Sequence, residues 1–512
     1  MAEAVSWGAT ADPAHVDEVR RTAERGQVAT LAQRLRSTAL VLLADVPAQD
    51  ADAARDAAAL LPLLAGHVRT APASDLWLVL TAVVGAYPDA SELARIRRAV
   101  ELATDRIDVE LLLLEHARRV SLRRDLPPME MEVVTDAVVV ETDFSARNDK
   151  QTGIQRVTRR VCSLWSERHP LVLVAWAPGH VGHRRLTARE THRVLRHGEP
   201  WSDDDAAGDA PPRLCVPWRS TLVLTEVPPS DGAMALSALA ESSGTSVVAV
   251  GYDAIPVTGI DMRPLGDATT FVRYLSVLKH ARTVAAISAS SAAEFRGFSS
   301  ALAAQGLAGP DVVEVQLATE VASVQPAEVG ARPVVLCLGS HEPHKNHLAL
   351  LHVAEALWRD GLDFELHFVG GPGWDMRAYE QAVDHLVRDG RPLVDHGVLP
   401  DDRMWSLAAA ATVTVFPSLH EGFGLPVVES LACGTPVITT DYGSTREVAG
   451  SGGCLLVDPR DDAQLEDALR RALTDDALLG RLRAEAATFR QRPWKAYADE
   501  LWDVLVEPRG EQ

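Results

Sequence analysis

Apolar residues recur at three- and four-residue intervals in Val28–Leu43, Ala53–Leu64 and Leu76–Val84, the spacing of one buried helix face. Ala, Leu and Arg dominate residues 14 to about 125, and all three are good helix formers. Pro47, Pro62, Pro72 and Pro88 punctuate the run, as helix breaks do. Residues 1–130 therefore read as an all-α extension. It shows neither a repeat of constant period nor a constellation of catalytic side chains, and reads as a cap or a module that docks a protein partner.

The pattern changes at Pro127-Pro128. Short β-branched runs follow at Ala137–Glu141, Leu171–Trp176, Thr221–Leu224, Ser246–Val250, Thr283–Ile287 and Val312–Gln316, with helical stretches such as Ile154–Trp165 and Phe271–Leu278 between them. A connector around Gln325–Arg332 leads to a second series: Val334–Leu338, Phe364–Val369, Leu393–His396, Thr412–Phe416, Val437–Thr439 and Cys454–Val457. Helices are expected at His347–Trp358 and Met376–Val387, and two more, Ala463–Leu473 and Trp494–Leu505, close the chain. Strand–helix alternation predicts parallel sheets covered on both faces. The expected architecture is α/β: the helical extension, a Rossmann-like domain over residues 131–328 and a second over 329–512. A cleft between the carboxyl ends of the two sheets is where such folds bind ligands.

Composition narrows the function. The chain has 512 residues, 47% hydrophobic and 24% charged, with a formal net charge of -21. That balance is globular and excludes a general nucleic-acid binder, which needs a basic footprint. One local cluster runs the other way: Arg156, Arg159, Arg160, Arg168, Arg184, Arg185, Arg189, Arg193 and Arg196. It reads first as a solvated face, and second as a surface for an anionic membrane or a phosphorylated acceptor. Cys162, Cys215, Cys337, Cys433 and Cys454 form no CxxC pair, so neither a disulfide framework nor a zinc site is expected. The start, Met-Ala-Glu-Ala-Val-Ser-Trp, has no signal-peptide pattern. The longest apolar stretch, Leu76–Tyr87, is too short for a bilayer core of ~30 Å. The expectation is a cytoplasmic protein whose membrane contact, at the inner face, is peripheral.

Chemistry concentrates in His420-Glu421-Gly422-Phe423-Gly424-Leu425-Pro426-Val427-Val428-Glu429, directly after the strand Thr412–Phe416. Gly422 and Gly424 allow a tight turn and close approach to a ligand, and Pro426 suits the first position of a helix. The free N–H groups around Gly424 and Leu425 then form an anion site at a helix N-terminus. Glu421 lies just before that site and Glu429 about one turn inside the helix. One carboxylate can reach a sugar hydroxyl, and the other a ribose diol, on either side of a diphosphate.

This segment, continued by Ser430-Leu431-Ala432-Cys433-Gly434-Thr435-Pro436-Val437-Ile438, resembles the E-x7-E signature of retaining family 4 glycosyltransferases of the GT-B fold. The resemblance covers about residues 134–506 and is strongest over 334–460. It implies that Glu429 binds the donor ribose and Glu421 contacts the transferred sugar, with Gly422, Phe423, Gly424 and Leu425 lining the donor. The turn Leu338-Gly339-Ser340-His341-Glu342-Pro343-His344-Lys345-Asn346-His347 resembles the Gly-Thr-x-Glu-Pro-x-Lys-Asn form found in mannosyltransferase-like polysaccharide enzymes. Lys345 would neutralise the diphosphate as the glycosidic bond breaks. Ser340 stands where relatives often have Arg, so one diphosphate charge is missing, for which Arg156 or another residue of the first α/β domain would have to compensate. Asp149-Lys150-Gln151-Thr152-Gly153-Ile154-Gln155-Arg156 resembles the Thr-Gly-Ile-x-Arg loop of the same enzymes, which implies that Thr152, Gly153 and Arg156 face the donor phosphates and the acceptor. Gly251-Tyr252-Asp253-Ala254-Ile255-Pro256 resembles a His-Asp-x-Ile-Pro segment, with Tyr252 replacing the His. Asp253 remains as a contact for acceptor or sugar hydroxyls, and Ser288 is a lesser candidate of the same kind.

Three further features carry less. Gly370-Gly371-Pro372-Gly373-Trp374 fails the dinucleotide fingerprint and reads as a loop near the donor base. Asp203-Asp204-Asp205 reads as a solvated loop, and the seventeen histidines show no metal-ligand pairing. The function expected from the resemblance is retaining transfer of a hexose from a nucleotide-diphosphate sugar, with GDP-mannose favoured, to a glycan, lipid-linked or other hydroxyl acceptor, with neither cofactor nor metal. Front-face attack, a phosphate oxygen taking the acceptor proton, is the implied route; no carboxylate for a covalent intermediate stands out. The alternatives are an epimerase or phosphorylase on the same fold, or a non-catalytic nucleotide-binding scaffold. The base, sugar, acceptor, linkage and oligomeric state are not legible.

Overall fold

The computed structural model describes residues 13–202, 210–322, 325–328 and 331–507; Asp203-Asp204-Asp205 lie outside them. The described chain forms two compact units, one made of residues up to Lys150 with His169–Val247, the other of Gln151–Arg168 with Val248 onward.

In the first unit, helices Pro13–Leu42, Ala53–Val68, Ala73–Val84, Ala90–Leu102 and Arg106–Ser121 fill the N-terminal region. Asp52, Asp89 and Asp105 cap three of them, the last two in reciprocal capping boxes with Glu92 and Asp108. Helix Ala73–Val84 is buried on every side from Asp75 to Val83, the mark of a core helix. Pro62 does not end a segment: it lies inside Ala53–Val68, where Leu60, Leu61, Leu64, Ala65 and Val68 are buried, and packing of that face outweighs the lost hydrogen bond. Gln33 ties the region to a sheet edge, its amide donating to Met131 O (2.8 Å) and accepting from Met131 N–H (2.7 Å), as a neighbouring strand would.

The strands of this unit are β1 (Met131–Thr135), β2 (Val138–Glu141), β3 (Leu171–Trp176), β4 (His183–Arg185), β5 (Leu214–Trp218) and β6 (Thr221–Leu224), side by side in the order β1-β5-β4-β3-β2-β6. Strand β4 runs antiparallel to β3 and β5, and the other pairs are parallel. The sequence pattern did not mark β1, β4 or β5. Three residues are too few to show a period, and Pro217 inside β5 argues against a strand on local grounds.

Strand β7 (Ser246–Gly251) carries the chain into the second unit, where it pairs in parallel with β8 (Thr283–Ala286), and β8 with β9 (Asp311–Glu314). Helix Gly153–Ser166 belongs to this unit because Trp165 is buried there. Its indole donates to Ala498 O (2.8 Å) and packs edge-on against Trp502, ring centroids 5.2 Å apart. The second sheet comprises β10 (Val334–Leu338), β11 (Glu365–Val369), β12 (Leu393–Asp395), β13 (Val413–Phe416), β14 (Val437–Thr440) and β15 (Cys454–Val457). All its pairs are parallel, in the order β12-β11-β10-β13-β14-β15. This is the Rossmann strand order. Along β10, Val335 and Cys337 enter one hydrophobic core while Val334, Leu336 and Leu338 enter another, so alternate side chains bury both faces. A helix not expected from sequence, Asp476–Ala486, stands between Asp462–Thr474 and Trp494–Leu505. Among the described residues no helix is long and apolar enough to cross a membrane.

Candidate active site

In the second sheet the strand order reverses between β10 and β13, which lie side by side at its centre. The crevice at the carboxyl ends of such a pair is where open parallel sheets bind ligands, and the two chemistry-bearing turns leave from these two ends.

The turn after β10 runs through Gly339 (φ 130°) and a single helical turn, Pro343–Lys345, before Asn346 (φ 58°) opens helix His347–Arg359. Asn346 is fixed by its side-chain bond to Pro459 O (2.8 Å). The turn after β13 is joined to it directly, since Leu419 N–H donates to His344 O at 2.7 Å. Lys345 Nζ then pairs with Glu421 Oε1, which also accepts from Ser418 Oγ (2.6 Å). Ser340 sits half-buried on the same turn, its carbonyl taking the N–H of Glu342 (2.8 Å).

The Glu421–Gly424 loop is pinned from several sides. A Cβ on Gly422 would lie 2.6 Å from Tyr252 O and 3.1 Å from Asp253 Oδ2, so only glycine fits. Ser288 Oγ (2.7 Å) and Ser291 Oγ (2.9 Å) donate to Gly422 O, and Ser444 Oγ donates to Glu421 O (2.8 Å). Gly424 (φ 97°) precedes helix Leu425–Ala432 without a side-chain cap, leaving the helix start open to an anion. Leu425 holds the first helical position and Pro426 the second, one residue later than Pro426 was expected. Either place tolerates a missing N–H. Phe423 is buried, so only its backbone can face a ligand.

Glu429 lies buried one turn in, and Arg156 pairs with it through Nη1 while Nη2 reaches Asp401 (3.3 Å). Thr152 precedes helix Gly153–Ser166 without capping it, because its hydroxyl bonds Gln155 instead. A Cβ on Gly153 would meet Leu425 Cδ1 at 3.3 Å, so the starts of the two helices converge. Asp253 accepts from Ile255 N–H (3.0 Å). Burial, reinforced by Glu294 and Glu421 nearby, pushes its carboxyl up to about 6. Glu429 is also raised by burial, against the pull of Arg156. His420 is raised by its bond to Glu294 (2.7 Å).

The histidines of the β10 turn behave differently. Burial pushes His344 down to about 2 and His347 to about 3, and lowers His341 as well. His341 stacks on Tyr379 and His344 on Trp374, with the Arg263 guanidinium 4.2 Å from the Trp374 ring centre. Gly370–Trp374 thus forms part of the packing around this turn. Sequence reasoning did not find Glu294, Ser291, Asp401 or Arg263, since each acts through a partner far along the chain. Within the arginine-rich stretch, Arg156, Arg168, Arg184, Arg185 and Arg193 sit in ion pairs with acidic residues.

Residues 319–489 match the family model described as "Glycosyl transferases group 1". Among curated relatives, the O-antigen chain mannosyltransferase B of Escherichia coli is 36% identical over 145 residues, 28% of this chain and 37% of the relative. The serotype-specific mannosyltransferase WbdA of Escherichia coli is 25% identical over 338 residues, 62% of this chain and 39% of the relative. The MMP alpha-(1->4)-mannosyltransferase of Mycolicibacterium hassiacum is 34% identical over 176 residues, 33% of this chain and 41% of the relative. The chain thus spans less than half the length of these relatives. Among solved structures, sucrose-phosphate synthase from Thermosynechococcus elongatus superposes with a TM-score of 0.50 at 17% identity, covering 72% of this chain and 97% of that one. This is a likeness of fold, the GT-B kind that the sequence motif implied.

Proposed function

We propose, from the match of residues 319–489 to the group 1 glycosyl transferases, that the protein is a retaining glycosyltransferase that moves a hexose from a nucleotide-diphosphate sugar to a hydroxyl acceptor. The observation that carries this reading is the arrangement at the sheet's reversal point. Glu421 and Glu429 bracket an uncapped, glycine-preceded helix start, and Lys345 is held on Glu421. A diphosphate fits the helix start, a ribose diol fits Glu429, and the transferred sugar fits Glu421. Lys345 lies where negative charge grows as the glycosidic bond breaks. These groups supply the charge stabilisation, and the reading needs no metal. The acceptor attacks from the face that the leaving group vacates, and a phosphate oxygen takes its proton.

Names of relatives favour a mannosyl donor and a glycan or lipid-linked acceptor in polysaccharide assembly. Asp253, beside Gly422 and with its carboxyl pushed up to about 6 by burial, suits a sugar or acceptor hydroxyl. A direct test incubates the protein with GDP-mannose, and in parallel with UDP-, dTDP- and ADP-sugars, together with mannosyl acceptors and no added metal. The expected result is release of GDP with an α-linked product, the anomer read by NMR. An isomerised donor without transfer would point instead to an epimerase, and an inverted product would remove the retaining mechanism.

A further inference from the structure

We propose that Arg156 is the second diphosphate-binding cation of this site, and that donor binding transfers its guanidinium from Glu429 to the diphosphate, freeing Glu429 for the ribose. This rests on the donor-site reading above.

The turn from Gly339 to Asn346 contains a single lysine or arginine, Lys345. The histidines beside it, His341, His344 and His347, cannot supply charge, because burial holds them neutral. A nucleotide-diphosphate sugar carries two negative charges, and the diphosphate gains another as the sugar leaves. Lys345 and a helix N-terminus, equivalent to about half a charge, leave that charge short of neutral.

Geometry then identifies the missing cation. Arg156 stands in the first turns of helix Gly153–Ser166, whose start abuts Leu425 at the open end of the other helix. Its guanidinium holds Glu429 through Nη1 and Asp401 through Nη2, but Nε is buried without a hydrogen-bond partner. A buried, unpaired N–H costs roughly as much as a lost hydrogen bond, and a phosphate oxygen is an acceptor that would remove that cost. The other cation is also occupied, since Lys345 sits on Glu421. Arg156 is thus shared by Glu429 and Asp401, and Lys345 is held by Glu421. A ligand that offers a diphosphate to the cations and hydroxyls to the carboxylates replaces both pairs at once. A guanidinium also matches two phosphate oxygens in a way a lysine cannot.

The test compares Kd values by calorimetry for guanosine, GMP and GDP (or the uridine series if the wild type prefers it) in wild type, Arg156→Gln, and Arg156→Gln with Ser340→Arg. Unliganded melting temperatures serve as the folding control. For Arg156→Gln the expected loss is about 10–100-fold for GDP, smaller for GMP, with none for guanosine or even tighter binding, because Glu429 is freed. Ser340→Arg in that background is expected to return at least tenfold of the GDP affinity. Equal losses for all three ligands, or unchanged GDP binding, would overturn the exchange and make Arg156 a structural counter-ion of Glu429. A folded wild type that binds neither GDP nor UDP would overturn the donor-site reading itself.

Discussion

Lys345→Ala is expected to lower kcat by roughly 10²–10³-fold, the cost of removing one preorganised stabiliser of developing charge, and to raise the donor KM as well, because the ammonium also meets the diphosphate in the ground state. The side chain is well placed for that role. Its ammonium bonds Glu421 and lies 5.3 Å from the centre of the Phe416 ring. The short turn to Asn346, tied to Pro459 O, fixes where its helix begins. Truncation has a second consequence. Glu421, only 11% exposed, would keep the Ser418 hydroxyl bond but lose its counter-ion, which destabilises the fold by about 1–3 kcal/mol. The two effects separate with Glu421→Gln added to Lys345→Ala: the double variant should regain stability in a denaturant melt without regaining turnover. Wild-type kcat in Lys345→Ala would remove the lysine from the chemistry.

Gly370→Ala is the largest stability effect the site geometry implies. A Cβ there would stand 1.8 Å from Gly339 O, 2.4 Å from Gly339 C and 3.0 Å from Ser340 N. All three are backbone atoms, so no side chain can swing aside. The neighbouring backbone is also committed: Gly339 N–H donates to Val369 O, His341 N–H to Gly371 O and Gly370 N–H to Gly397 O, each at 2.9 Å. The turns after β10, β11 and β12 are thereby bonded to one another, and prising the first two apart displaces Ser340 and Lys345. The expected loss is at least about 3 kcal/mol, the upper end of overpacking costs, or roughly 5 °C in melting temperature for a unit of this size. Gly371→Ala is the control: its Cβ would meet only Val398 Cγ2, at 3.2 Å, and a shift of under about 1 kcal/mol is expected. Equal melting temperatures for the two variants would contradict the close approach.

How much of this was legible in the sequence depends on how far each contact reaches along the chain. The strand–turn–helix carrying Glu421 and Glu429 is local, so glycine, proline and spacing marked it, with an error of one residue at Pro426. Strands such as Ser246–Gly251 and Val437–Thr440 were legible because a buried β-branched run needs no partner to be recognised. Strands β1, β4 and β5 were not, since a three-residue strand and one containing proline exist only through their neighbours. Pro62 misled because local propensity was outweighed by a buried face that only tertiary packing reveals. Ser288 was noted as a weak candidate, but that its hydroxyl holds Gly422 O spans 134 residues. The Arg156–Glu429 pair spans 273 residues, and the neutral state of the β10-turn histidines depends on Tyr379, Trp374 and Phe368 packed around them. Spacing could suggest each of these groups, but not what each one touches.

The helix start between Glu421 and Glu429 is expected to bind a nucleoside diphosphate. The most direct test is thermal unfolding with GDP, UDP, dTDP and ADP in the absence of metal, repeated on Glu429→Ala. One nucleotide at ~100 times its dissociation constant should stabilise the protein by about 2.7 kcal/mol, and the shift should fall to about half or less in the variant once its ribose contact is gone. Stabilisation that persists unchanged in Glu429→Ala, or no shift with any of the four nucleotides, would contradict the account.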